Sequence, residues 1–132
     1  MAFFHMPPAE FKEAYEKMKL GDHTVIYEHG SIGEKDEYFG ISNRPPHFFE
    51  KAVDNGWLKW IFCGHDHLNT LSLTYKGIRM TYGMSIDYLG YSGIAKQYIQ
   101  RGATLITRKT DGNIDINMVP LTTVISTRVR GA

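Results

Sequence analysis

The run WLKWIFC, Trp57 to Cys63, followed by GHDHLN, Gly64 to Asn69, constrains this chain more than any other stretch. Its apolar part reads as a strand buried on both faces, and such a strand needs paired neighbours and covering layers. It ends at Gly64, which can turn sharply without a Cβ clash. His65, Asp66 and His67 then fall at the end of the sheet, where α/β proteins usually build ligand sites. In extended backbone, residues i and i+2 point the same way. In a tight loop they can diverge enough to reach two neighbouring cations. Neutral imidazole ligates zinc, iron, manganese or nickel. Asp66 either orients an imidazole from behind or stays solvated.

His5 has a similar setting. AFF is a short apolar run that ends at this histidine, and Met6-Pro7-Pro8 breaks it. Two strands delivering histidines from their C-terminal ends would bring His5, His65 and His67 to one rim. His23, His29 and His47 lack that context and read as ordinary. Cys63 reads as a buried small hydrophobe.

The other elements follow from periodicity and punctuation. PAEFKEAYEKMKLG reads as a helix, with Phe11, Tyr15 and Met18 on one stripe and Gly21 beyond its end. Residues 22–46 have no clear period and read as a long irregular connection, of a length usual only where it is functional or disordered. PHFFEKAVDNG reads as a second helix stopped at Asn55-Gly56. TLSLTYKGIRMTYG reads as a hairpin turning at Lys76-Gly77, and ATLITRKTDGNIDINMV as another around Asp111-Gly112. MSIDYLGYSGIAKQYIQRG reads mostly as loop. The expectation is a single α/β unit over residues 1–132, a mixed sheet with two helices early and antiparallel hairpins late.

Composition bounds the partners. The 132 residues carry 15 basic and 14 acidic side chains, which gives no electrostatic case for nucleic acid or an acidic membrane. No apolar run approaches a membrane helix in length. The N-terminus lacks the features of a signal peptide. The chain is expected to be soluble, with no compartment assigned.

With these residues in place, FCGHDHLNT resembles the G-H-x-H motif of the calcineurin-like metallophosphoesterases. FFHMPPAEF resembles the motif before it, a strand ending in histidine and followed by proline. His5, Pro7 and Glu10 with Gly64 to Asn69, and the later RGATLI from Arg101 to Ile106, are most similar to the branch near the purple acid phosphatases. The resemblance runs from Ala2 to Met118. It implies an αββα sandwich, of which this chain is the C-terminal half. It also implies hydrolysis of a phosphorylated substrate at a pair of divalent ions, with zinc, manganese and iron not distinguished. His5 and His65 would ligate one ion and His67 the other. Asn69, Tyr82, Tyr88 and Tyr91 would border the substrate, although packing is the plainer reading of the tyrosines. Arg44 could meet a phosphate, although a solvated loop charge is the plainer reading there too.

The family's D-x-H, G-D-x-x-D and G-N-H/D motifs have no match here. Asp22-His23 lacks a spacer, Val25 stands where a second aspartate belongs, and Gly112-Asn113 is followed by Ile114. Three histidines without a bridging carboxylate are expected to hold at most one ion well, so the chain alone is expected to be inactive. The alternative to a hydrolase is a catalytically inactive fragment. Strand edges left open by half a sandwich are expected to favour a homodimer or larger homo-oligomer.

Overall fold

In the computed structural model, residues 1–41, 47–87, 90 and 101–121 are described. Two compact units are present, Met1–Gly83 and Met84–Ala132.

The first unit holds strands β1 (Ala2–Phe3), β2 (Val25–His29), β3 (Trp60–Cys63), β4 (Ser72–Tyr75) and β5 (Ile78–Tyr82). They form one sheet in the order β1-β3-β5-β4-β2. β3 pairs in parallel with β1 and with β5, whereas β4 is antiparallel to both β5 and β2, so the sheet is mixed. The turn between β4 and β5 has φ of +48° at Lys76 and +77° at Gly77, the two positive angles of a type I′ hairpin.

Helices α1 (Ala9–Lys19) and α2 (His47–Asn55) both cover the face carrying Ile61, Leu73, Tyr75, Ile78, Met80 and Tyr82. Phe11 of α1 stacks on Tyr82 at 5.0 Å between ring centroids, and Phe49 of α2 stacks on Tyr75 at 6.3 Å. Both phenylalanines are buried, and burying a side chain of this size stabilises by about 1.5–3 kcal/mol. Pro8 starts α1 with φ already fixed, while Glu10 in the first turn and Lys17 and Lys19 in the last oppose the helix dipole. The other sheet face carries Phe3, Phe62, Ser72, Thr74, Arg79 and Thr81 by register.

The connection expected to be irregular contains β2. This edge strand buries only Val25, leaving Ile26 and Tyr27 exposed, so no alternation betrays it. Residues 31–40 beyond it are fastened by side chains rather than by a ladder, as described below. Ser42 to Pro46, including Arg44, lie outside the described residues.

The second unit contains β6 (Gly102–Arg108) and β7 (Ile114–Pro120), an antiparallel pair. Lys109 N–H donates to Asn113 O at 2.8 Å and Gly112 takes φ of +87°, closing the turn at the expected Asp111-Gly112. Residues 84–87 form no regular element; residues 88, 89 and 91–100 lie outside the described residues.

Candidate metal centre

The parallel pairing of β1 with β3 continues past the strand ends. Phe4 N–H donates to Phe62 O at 2.9 Å, and Gly64 N–H donates to His5 O at 3.0 Å. This ladder sets His5 beside the Gly64–His65 peptide. The two imidazoles meet there, with His65 Nδ1 3.1 Å from His5 Nε2 and the rings at 84° to each other. Both residues are exposed.

The sharp turn after β3 falls on His65, not on Gly64. His65 has φ of +71°, and Asp66 N–H donates back to Gly64 O at 2.9 Å. An i to i+2 bond around a residue of positive φ is a γ-turn of the rare, strained hand. Gly64 keeps a negative φ, and a Cβ there would meet nothing closer than 3.9 Å.

Asp66 neither stays solvated nor bonds an imidazole among the bonds observed. It is buried, and its Oδ2 accepts from Tyr82 Oη at 2.6 Å and from Gly40 N at 2.9 Å. Burial first, and then the bond to Asp66, push the Tyr82 phenol far above its usual range, so it stays a donor. Burial, followed by the Asp66 charge, likewise raises the Cys63 thiol, which makes it an inert core residue.

Asn69 is fully buried. Its Oδ1 accepts from Gly33 N at 3.0 Å and Glu34 N at 3.1 Å, and its Nδ2 donates to Tyr38 O at 3.1 Å. Thr70 pairs with Ser31 through backbone and hydroxyl, and Leu68 N–H donates to Glu34 Oε1 at 3.0 Å. Thus residues 31–40 are sewn to the histidine loop by the side chains of Asp66, Asn69 and Thr70. Tyr15 and Lys19 of α1 hold the far side of the same segment through Glu37. Sequence reasoning missed Gly40 and this stitching, because the donors are mostly backbone groups with no residue signature.

His67 is half-buried two residues beyond His65. Among the described residues, no set of three or more His, Cys, Asp or Glu side chains is placed to hold a metal ion. Tyr88 and Tyr91 lie outside the described residues. Glu10 is buried in the first turn of α1, where desolvation raises its carboxyl above the usual range.

The donors present fit one cation in part. Two nitrogens on a tetrahedral zinc ion at about 2.0–2.1 Å lie roughly 3.3–3.4 Å apart, so the 3.1 Å His5–His65 pair would open by a few tenths of an ångström to hold one. They do not fit two cations. Two divalent charges about 4 Å apart repel by about 17 kcal/mol at an effective dielectric of about 20, and among the described residues no set of three or more His, Cys, Asp or Glu is placed to offset it.

The fold is therefore an α/β arrangement whose adjacent parallel strand ends carry a pair of histidines. Comparison with known proteins gives two partial similarities. Over 91 residues, 69% of this chain and 21% of the relative, it is 28% identical to "Probable inactive purple acid phosphatase 29" of Arabidopsis thaliana. Over 47 residues, 36% of this chain and 12% of the relative, it is 38% identical to "Probable inactive purple acid phosphatase 14" of the same plant. The matched part is thus about a fifth of the first relative's length and less of the second's. No family model matches the chain, and no solved structure matches it significantly. No helix among the described residues is long and apolar enough to cross a membrane.

Proposed function

We propose that this chain carries the C-terminal ligand strands of a metallophosphoesterase-type fold of the purple acid phosphatase kind. Alone, it binds a single divalent cation between His5 and His65 without hydrolysing phosphate esters. The observation that carries this reading is the 3.1 Å approach of two imidazole nitrogens at adjacent parallel strand ends. Both similar plant proteins are named as probable inactive phosphatases, which supports the absence of turnover. His67 stands near enough in sequence to join the site if its loop rearranges on binding. In a longer partner or parent carrying the missing carboxylate motifs, the same histidines would serve a hydrolase.

Calorimetry with Zn²⁺ and Mn²⁺ tests the reading. Wild type should bind one ion per chain, His5→Ala and His65→Ala should lose most of that affinity, and nitrophenyl phosphate should not be turned over. Undiminished binding by both variants would refute the site, and robust metal-dependent turnover by wild type would refute the inactive assignment.

Self-association belongs to the same proposal. β1 is a two-residue edge strand with Phe3 and Phe4 exposed, an edge that a second copy could extend. Light scattering on the full chain should report a dimer or larger species, and a monodisperse monomer at high concentration would exclude it.

A further inference from the structure

Two tight turns face each other beside the histidine pair. In one, His65 sits at φ of +71° under the Asp66 N–H to Gly64 O bond. In the other, Ile41 N–H donates to Phe39 O at 2.9 Å across Gly40, which keeps a negative φ. The Asp66 carboxylate ties them together by accepting the Gly40 N–H, and Tyr82 from β5 holds the same oxygen. The His65 ring lies directly against Gly40. A methyl group there would stand 2.1 Å from His65 Cδ2, 2.6 Å from its Nε2 and 2.7 Å from Asp66 Oδ1.

A non-glycine residue in this region of φ is strained, and such residues persist only where their surroundings over-determine them. Here the surroundings are a buried charge-assisted bond, a buried phenol and a backbone with no Cβ. Without them, His65 would relax toward negative φ and its ring would swing away from His5.

We infer that Asp66, Tyr82 and Gly40 form a brace that holds the strained His65 turn, and that they are positioning residues for the His5–His65 cation site. This rests on the proposed function, since the brace matters only if the pair binds a cation. None of the three touches the cation. Asp66 and Tyr82 act by fixing the backbone, and Gly40 by giving the ring a flat bed.

Two measurements test the inference separately from the reading beneath it. First, His65→Gly and His65→Ala both delete the ring and differ only in backbone freedom. At ordinary φ the glycine variant is the less stable. At a strained positive φ the order reverses, and His65→Gly should melt about 3–6 °C above His65→Ala. The ordinary order would overturn the strain and with it the brace. Second, zinc affinity is measured by calorimetry at a temperature where every variant is folded by circular dichroism. Tyr82→Phe and Asp66→Asn should weaken zinc binding by about 10-fold or more, the usual effect of removing a group behind a metal ligand. Gly40→Ala should do the same through its clash. Ile78→Val, a buried change away from the brace, supplies a comparable stability loss and should keep wild-type affinity. Wild-type affinity in all three brace variants would overturn the inference while leaving the metal site standing. Failure of wild type to bind zinc would bring down the function reading, and the positioning role with it.

Discussion

His5 and His65 approach to 3.1 Å at the ends of β1 and β3; His29 of β2 and Arg79 of β5 approach to 3.2 Å on the same sheet. The lengths are alike, but the chemistry is not. A guanidinium can only donate, so His29 Nδ1 must accept and the imidazole is neutral with its proton on Nε2. That Nε2 is buried and has no hydrogen-bond partner among the described residues. Arg79 is also committed, to Glu28 at 3.6 Å and to Ser72 Oγ at 3.0 Å, and Ser72 in turn meets Thr81 at 2.7 Å. The first pair is exposed and has no cation beside it among the contacts observed; its two nitrogens face each other at hydrogen-bond distance, one donating to the other according to the tautomer. The second already has its cation, Arg79. Proximity of imidazole to nitrogen therefore does not mark a cation site; exposure and the lack of a competing positive charge set the two clusters apart.

The largest expected effect of a substitution lies beneath the His5–His65 pair. Asn69→Ala would strip the partners from Gly33 N–H, Glu34 N–H and Tyr38 C=O together. It should cost about 2 kcal/mol by chemical denaturation, since these groups are part-buried and a group left unsatisfied costs about 1–3 kcal/mol when fully buried. A loss well under 1 kcal/mol would mean that residues 31–40 do not depend on the histidine loop.

Arg79→Met attacks the closed cluster. It leaves His29, Glu28 and Ser72 short of a donor and should destabilise by about 2 kcal/mol. Zinc affinity should be unchanged, because the pair at β1 and β3 is built without Arg79. Loss of zinc binding in a folded Arg79→Met protein would erase the distinction between the two clusters.

Acid should reach the closed cluster in a defined direction. Burial first, and then the Arg79 guanidinium, hold His29 below its ordinary value of 6.5, partly offset by Glu28. The unfolded chain then binds a proton that the folded chain refuses as pH falls through 6.5. The stabilisation is fully present above that value and is lost below it, until folded His29 protonates as well. His29→Asn keeps an acceptor and removes the titration, so its stability should fall less steeply than wild type below pH 6.5. Parallel curves for the two proteins would mean that His29 does not titrate differently on folding.

The smallest effect is expected at the residue that sequence reasoning favoured for the turn. Gly64→Ala has room and a permitted φ, and should change stability by no more than about 0.5 kcal/mol. A large loss would move the sharp turn back from His65 to Gly64.

These contrasts mark what could be read from the residues. Both helices, β3 and the two hairpins were legible, because Phe11, Tyr15, WLKWIFC, Lys76-Gly77 and Asp111-Gly112 carry periodicity or turn chemistry of their own. The meeting of His5 with His65 followed from two apolar strands ending in histidine. β2 was hidden because an edge strand with one buried residue has no face to display. His29 looked ordinary for the same reason, since its strand was not visible. The brace was hidden because Gly40 and the backbone donors at Gly33 and Glu34 have no signature until the fold brings them to Asp66 and Asn69. Asp66 itself was seen, but its burial against Tyr82 depends on the pairing of β3 with β5, which no local pattern reveals.

If the proposed site is real, the β1–β3 histidine pair takes up a cation and the β2–β5 cluster does not. Long-range proton–nitrogen correlation spectra of the imidazole rings test it most directly, during titration of the wild-type chain with Zn²⁺. The ring nitrogens of His5 and His65 should shift by ligation while those of His29 stay in place. Unmoved His5 and His65 signals at saturating zinc, or ligation at His29, would contradict it.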